Sequence, residues 1–231
     1  MLVKRIVCLA NSFKTGGSCI AGKEVLANGF GEWIRPVSDR ATAELRFSEC
    51  KYTDTQGPKL LDIIDVPLLG SVDPQTHQTE NHVIDTTRRW SKVGELPLAE
   101  LPKLRDRPTR LWINSDRTGA GAYNCISEEE AATLHDSLVL IRPENFVVKA
   151  GSKTWDGKTA KTYRSTFRYR EVFYILQITD PIVTTFYQSK EEGEYLLNDI
   201  DICVSLTEPW VKDRNRCHKL VAAVLSAQPL R

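Results

Sequence analysis

Three groups of residues in this chain have the types and spacing to do chemistry. The first lies where the apolar run Ile6-Val7-Cys8-Leu9-Ala10 gives way to Asn11, Ser12 and Lys14, with Gly16 and Gly17 beside them. Glycines let backbone N–H groups converge on an anion, and Lys14 adds a point charge. Arg35 and Ser38, which flank Pro36, can complete a polar pocket of nucleotide size. The plainer alternative makes the loop a strand connection and Arg35 a salt-bridge partner. The second group is Gln78, Glu80, Asn81 and Asp85, with Glu208 and Lys219 near the C-terminus. Carboxylates near amides can hold a metal or share a proton, so an enzyme reading rests on this set; a structural role at strand ends competes with it. The third is the run from Tyr163 to Arg170. Period two puts Tyr163, Phe167 and Tyr169 on one face and Arg164, Arg168 and Arg170 on the other. With the aromatics inside, the arginines form a stripe suited to a phosphate backbone. Lys149, Lys153, Lys158 and Lys161 precede it, as does Trp155, the tryptophan expected to be exposed. The competing reading is a solvated strand paired to acidic neighbours such as Glu171.

One motif invites a stronger claim and fails it. Gly17-Ser18-Cys19-Ile20-Ala21-Gly22-Lys23-Glu24 almost spells a P-loop, but the position after the lysine must carry the hydroxyl that holds magnesium, and Glu24 would repel phosphate instead. The motif must also open a helix, whereas Asn28-Gly29, Gly31 and the β-prone Trp33-Ile34 before Pro36 signal a hairpin. A tight turn at a strand end explains the glycines better than an ATP or GTP site.

Composition limits the remaining options. The 231 residues suffice for one large domain or two small ones, with 41% hydrophobic and 26% charged residues, as in ordinary globular chains. A net charge of +1 and a pI near 7.6 exclude global basicity, so any nucleic-acid role must rest on how charge is distributed. No apolar run spans a bilayer, and the Met1-Leu2-Val3-Lys4-Arg5-Ile6 start lacks a signal peptide's apolar stretch, so a cytoplasmic protein without membrane contact is expected. The six cysteines are scattered without a C-x-x-C pair and read as buried free thiols; no metal or cofactor is expected. His77 and His82 read as solvated imidazoles, and the signatures H-E-x-x-H and G-x-S-x-G are absent.

The elements that must position these residues are mostly short strands punctuated by turns: Leu2 to Ala10, Cys19 to Ala21, Trp33 to Val37, Leu60 to Pro67, Leu111 to Ile113, Leu138 to Ile141, Tyr163 to Arg170, Val172 to Thr179 and Ile202 to Leu206. Ser127 with Glu130 forms a capping box opening a short helix, and a second helix is expected around Lys190 to Asn198. Lys149 to Lys161 reads as an exposed loop. The proline-rich stretch from Gly94 to Pro108 divides the chain into residues 1–105 and 106–231. The fold class is therefore all-β to β-rich α+β, with one or two short helices.

Several blocks also resemble a known family. Leu9-Ala10-Asn11-Ser12-x-Lys14, Cys19-Ile20-Ala21-Gly22, Trp33-Ile34-Arg35-Pro36-Val37-Ser38, Leu60-Leu61-Asp62-Ile63-Ile64 and Gln78-Thr79-Glu80-Asn81 are similar to the first half of the bacterial dual OB-containing domain family. Tyr174-x-Leu176-x-Ile178-Thr179-Asp180-Pro181, Cys203-Val204-Ser205-Leu206-x-Glu208-Pro209 and Cys217-x-Lys219-Leu220-Val221-Ala222-Ala223 continue the resemblance. It implies two small OB-like barrels and, by analogy with other OB folds, a nucleic-acid or nucleotide partner without an established reaction. The leading expectation is a non-catalytic module binding single-stranded nucleic acid. The alternatives are a sensor of a nucleotide or modified base, a metal-dependent nuclease or hydrolase, and a protein-binding part of a larger assembly.

Overall fold

The continuous apolar run from Ile6 to Ala10 calls for a strand buried on both faces, and the computed structural model extends that strand over Leu2–Lys14 (β1). The structure describes residues 2–14, 16–72 and 77–226, and of Lys14 and Trp155 the backbone alone. The chain divides into two compact units, Met1–Arg105 with His135–Ser137, and Asp106–Leu134 with Leu138–Arg231.

In the first unit β1 is followed by β2 (Gly17–Leu26), β3 (Gly29–Val37), a single helical turn α1 (Phe47–Cys50), β4 (Asp62–Ser71), β5 (Asn81–Ile84) and β6 (Ser91–Glu95). β1, β2 and β3 form an antiparallel meander, β3 runs parallel to β5, and β5 pairs with β4. β4 returns to β1 in the register Arg5↔Asp65, which closes a five-stranded barrel, and β6 adds to β4 outside the ring. Ile6, Ile20, Ile34, Leu45, Ile64, Val66 and Trp90 fill it.

The second unit contains β7 (Cys125–Ile126), α2 (Glu128–Ala131), β8 (Leu138–Ile141), β9 (Glu144–Trp155), β10 (Lys158–Tyr169), β11 (Val172–Ile178), α3 (Pro181–Gln188), β12 (Gly193–Leu197), β13 (Ile200–Leu206) and β14 (Cys217–Ser226). The strand order is β12-β9-β10-β11-β14-β13-β8, with β11 and β14 parallel. The six strands β9-β10-β11-β14-β13-β8 surround one core, with β8 joined to β9 by Arg142-Pro143 alone, and β12 lies outside that set on the edge of β9. Phe146, Phe167 and Tyr174 stack in that core, with ring centroids 5.8 and 5.5 Å apart. Each such pair contributes about 0.5–1.5 kcal/mol beyond its buried area.

The β-rich expectation and the capping box hold: Ser127 Oγ accepts from Glu130 N at 3.1 Å, and Ser127 N donates to Glu130 Oε2 at 3.0 Å. Three element readings are corrected. Lys149 to Lys161 is not a loop but the paired ends of β9 and β10, in register from Lys149↔Arg164 to Trp155↔Lys158. The helix expected near Lys190 is the strand β12, because Tyr195 and Leu197 pack on the core at alternate positions. Leu111 to Ile113 is irregular, since Trp112 takes a left-handed φ of 53°. His77 is buried rather than solvated. Cys8, Cys50, Cys125, Cys203 and Cys217 are buried free thiols and Cys19 is half-buried. Among the described residues no helix is long and apolar enough to cross a membrane.

Candidate nucleic-acid interface

The glycines of the near-P-loop answer to strand packing. A Cβ on Gly17 would lie 2.3 Å from the Leu45 carbonyl oxygen, and one on Gly22 would lie 2.0 Å from that of Val7. Both glycines sit in β2, where neighbouring backbone comes too close for a side chain, and no helix follows them.

The polar residues of the first unit converge only in part. The parallel register Arg35↔Asn81 brings β3 and β5 together, and Arg35 N donates to Glu80 O at 2.8 Å. The Arg35 guanidinium lies 3.0 Å from Glu80 Oε1 and donates to Ser137 Oγ at 2.8 Å and Asn81 Oδ1 at 3.3 Å. Ser137 Oγ donates in turn to Glu80 Oε1, and Asn81 Nδ2 reaches Gln78 Oε1 at 3.4 Å. Arg35 and Glu80 are 3% and 6% exposed, so this is a buried ion pair whose attraction is set against the cost of desolvating both charges. The other three described candidates are bound elsewhere. Asn11 donates to Pro58 O at 2.8 Å, Ser12 faces Cys19 across the β1–β2 pair, and Ser38 Oγ accepts from Arg40 N at 3.4 Å. The Lys14 side chain falls outside the described residues. Asp85 accepts from the Thr87 hydroxyl at 2.6 Å and its N–H at 3.0 Å, which holds its carboxyl below the usual range. Glu208 belongs to the second unit. Among the described residues no three His, Cys, Asp or Glu side chains group as a metal site.

The second unit assembles a cationic face. On β10, Phe167 and Tyr169 are buried, while Arg164 and Arg168 point the opposite way and form no ion pair or side-chain hydrogen bond among the described residues. The register carries that outward face onto β9. Arg164 is opposite Lys149, Ala160 opposite Lys153, and Lys158 opposite Trp155, so Arg168, Arg164, Lys149, Lys153 and Lys158 share one side of the ribbon. On β11 the Cα partner of Arg168 is Phe173, which is 46% exposed. Glu144 is the partner of Arg168 on β9, and Glu194 of β12 pairs with Lys149 at 2.7 Å.

Two expected members leave this face. Arg170 stands past the end of β10 with a φ of 54°, and its guanidinium donates to Pro108 O at 2.9 Å and Arg107 O at 3.3 Å. Lys161 pairs with Ser152 on the opposite side, and its ammonium closes the C-terminus of α3 by donating to Gln188 O at 2.7 Å and Lys190 O at 3.2 Å. The Trp155 side chain lies outside the described residues.

Sequence reasoning missed Phe173, although the signal was there: Tyr174 and Leu176 are buried, so period two turns Phe173 outward. It also treated Trp210 as buried, whereas Trp210 is 54% exposed. Trp210 opens a loop in which Arg214 and Asn215 both take left-handed φ, pinned by Arg216 on Asp213 (2.9 Å) and Asp116 (3.0 Å). Lys219, grouped with Glu208 from sequence, is 1% exposed and donates to Ile113 O at 2.7 Å and Asn114 Oδ1 at 2.9 Å. Burial pushes its amine down to about 7.

The sequence model of a family described as "Dual OB-containing domain" matches residues 4–224. No curated protein and no solved structure matches the chain.

Proposed function

The chain belongs to the dual OB-containing domain family, and on that footing we propose that its second unit binds single-stranded nucleic acid along the outward face of β9, β10 and β11. The observation that carries the reading is the strand register that lines up Arg168, Arg164, Lys149, Lys153 and Lys158 on one side of a two-stranded ribbon. From Lys158 to Arg168 that ribbon runs roughly 33 Å, at about 3.3 Å per residue, which is enough to follow several nucleotides. Cations in a row displace counterions from a phosphate backbone, and the gain is local, so a chain of net charge +1 can make it. Phe173 beside Arg168 supplies an aromatic face on which a base can stack, worth about 1–3 kcal/mol. Stacking favours a single strand, whose bases are open, over a duplex, whose bases are covered. The role proposed for this face is binding rather than turnover.

Titrating a labelled oligothymidylate at several salt concentrations tests the proposal. Arg164, Arg168 and Lys158 form no ion pair or side-chain hydrogen bond among the described residues, so the logarithm of affinity falls against that of salt with a slope of about −2, at roughly −0.7 per contact. The double variant Arg164→Ala, Arg168→Ala loses on the order of tenfold at low salt and about 1.4 of that slope. Absence of binding at low salt, or binding indifferent to salt, sinks the reading.

A further inference from the structure

The geometry points to Glu194 as an internal competitor for phosphate, a carboxylate that the fold holds on the cationic face and that a nucleic acid must displace. The inference rests on the binding reading above and names what regulates that same face.

β12 is an edge strand of the second sheet, at the end of the strand path. It pairs with the edge of β9 in the register Glu194↔Lys149, and Lys149 is itself opposite Arg164, so the row across the sheet reads carboxylate, ammonium, guanidinium. Glu194 Oε1 sits 2.7 Å from Lys149 Nζ, the distance at which a phosphate oxygen would sit. The strand that carries this carboxylate is anchored on both sides of it. Tyr195 OH donates to Glu191 O at 2.7 Å, the Tyr195 ring packs 4.8 Å from that of Tyr187, and Leu197 rests on the core. Both charged side chains remain partly exposed, 43% for Lys149 and 64% for Glu194, so the pair is weak enough for a polyanion to open.

The residue just before β12 supplies the control. Glu192 lies two residues before Glu194, yet it bonds to Ser152, whose partner across the ribbon is Lys161, on the side away from Arg164. Glu192→Gln and Glu194→Gln therefore change net charge equally and differ in the face they unmask.

The test is the affinity and salt slope of a fluorescein-labelled oligothymidylate of about 12 nucleotides, within the span of one OB unit, for wild type, Glu194→Gln and Glu192→Gln. Thermal midpoints are recorded to show that all three fold alike. Glu194→Gln is expected to bind roughly two- to fivefold more tightly at low salt and to steepen the slope by about 0.7, one phosphate contact. Glu192→Gln is expected to stay within about twofold of wild type. Lys149→Ala is expected to cost little in the wild-type background and several-fold beside Glu194→Gln, a coupling that only direct competition produces. Equal tightening by both glutamine variants reduces the effect to net charge and overturns the inference, as does unchanged or weaker binding by Glu194→Gln. Wild type that binds with the expected salt slope while Glu194→Gln matches it leaves the binding reading standing and removes only this one; wild type that does not bind removes both.

Discussion

Lys219 shows how far a single residue's environment can depart from what its letter suggests. Its ammonium is closed in by the Ile113 carbonyl, the Asn114 side chain and the Tyr174 ring, 5.7 Å away, with no ion-pair partner among the described residues. Burial is the largest influence on it and lowers it to about 7 from an ordinary 10.5. Between those values the unfolded chain holds the proton and the folded chain does not, so unfolding takes up a proton and stability rises with pH across that window. Below about 7 the penalty is fully present and flat. Chemical denaturation from pH 6 to 10 should show wild type gaining stability over Lys219→Met as pH rises, by on the order of 4 kcal/mol at most. A difference between the two that does not change with pH would mean that the amine is charged throughout. Nothing in Cys217-His218-Lys219 announces this burial, because it depends on a loop more than 100 residues earlier in the chain.

Among the elements, those with one buried face are legible and those solvated on both sides are not. Leu138 to Ile141 and Val172 to Thr179 could be read nearly to the residue, since the core imposes their pattern. The far ends of β9 and β10 carry Lys153, Lys158 and Lys161 with no apolar alternation, because both their faces meet water, and so they pass for a loop. β12 misleads in the opposite way: glutamates and leucines favour a helix, and pairing with β9, together with Tyr195 and Leu197 on the core, overrides that preference. β2 shows that a motif can be mimicked by packing. Gly22→Ala would drive a methyl against the Val7 carbonyl of the adjoining strand, and it should destabilise the first unit by about 2 kcal/mol or more in urea unfolding. Tolerance of alanine there would reopen the question of what the glycine does.

For the molecule as a whole, the strand periodicity and the proline-rich stretch point to two β-rich halves, and the structure has two sheets, one in each compact unit. What the sequence hides is that the first barrel is not finished by its own half. Arg35 and Glu80 stand out in the sequence, but their third partner, Ser137, comes from beyond the proline-rich stretch, where Thr79 Oγ1 also donates to His135 O at 2.7 Å. Arg35 Nε and Glu80 Oε2 already lack partners among the described residues, so Ser137→Ala removes one of the few bonds that offset this buried charge. It should cost about 1–3 kcal/mol, read as faster amide hydrogen exchange in β3 and β5 with β9 and β10 unaffected. Equal exchange in both proteins would make the serine a bystander. The same contact sets an order of assembly. A chain emerging from the ribosome can pair all six strands of the first unit before Ser137 exists, yet until then the Arg35–Glu80 pair lacks its hydroxyl. The unit whose strands are made first thus completes its buried ion pair only once residue 137 has been added.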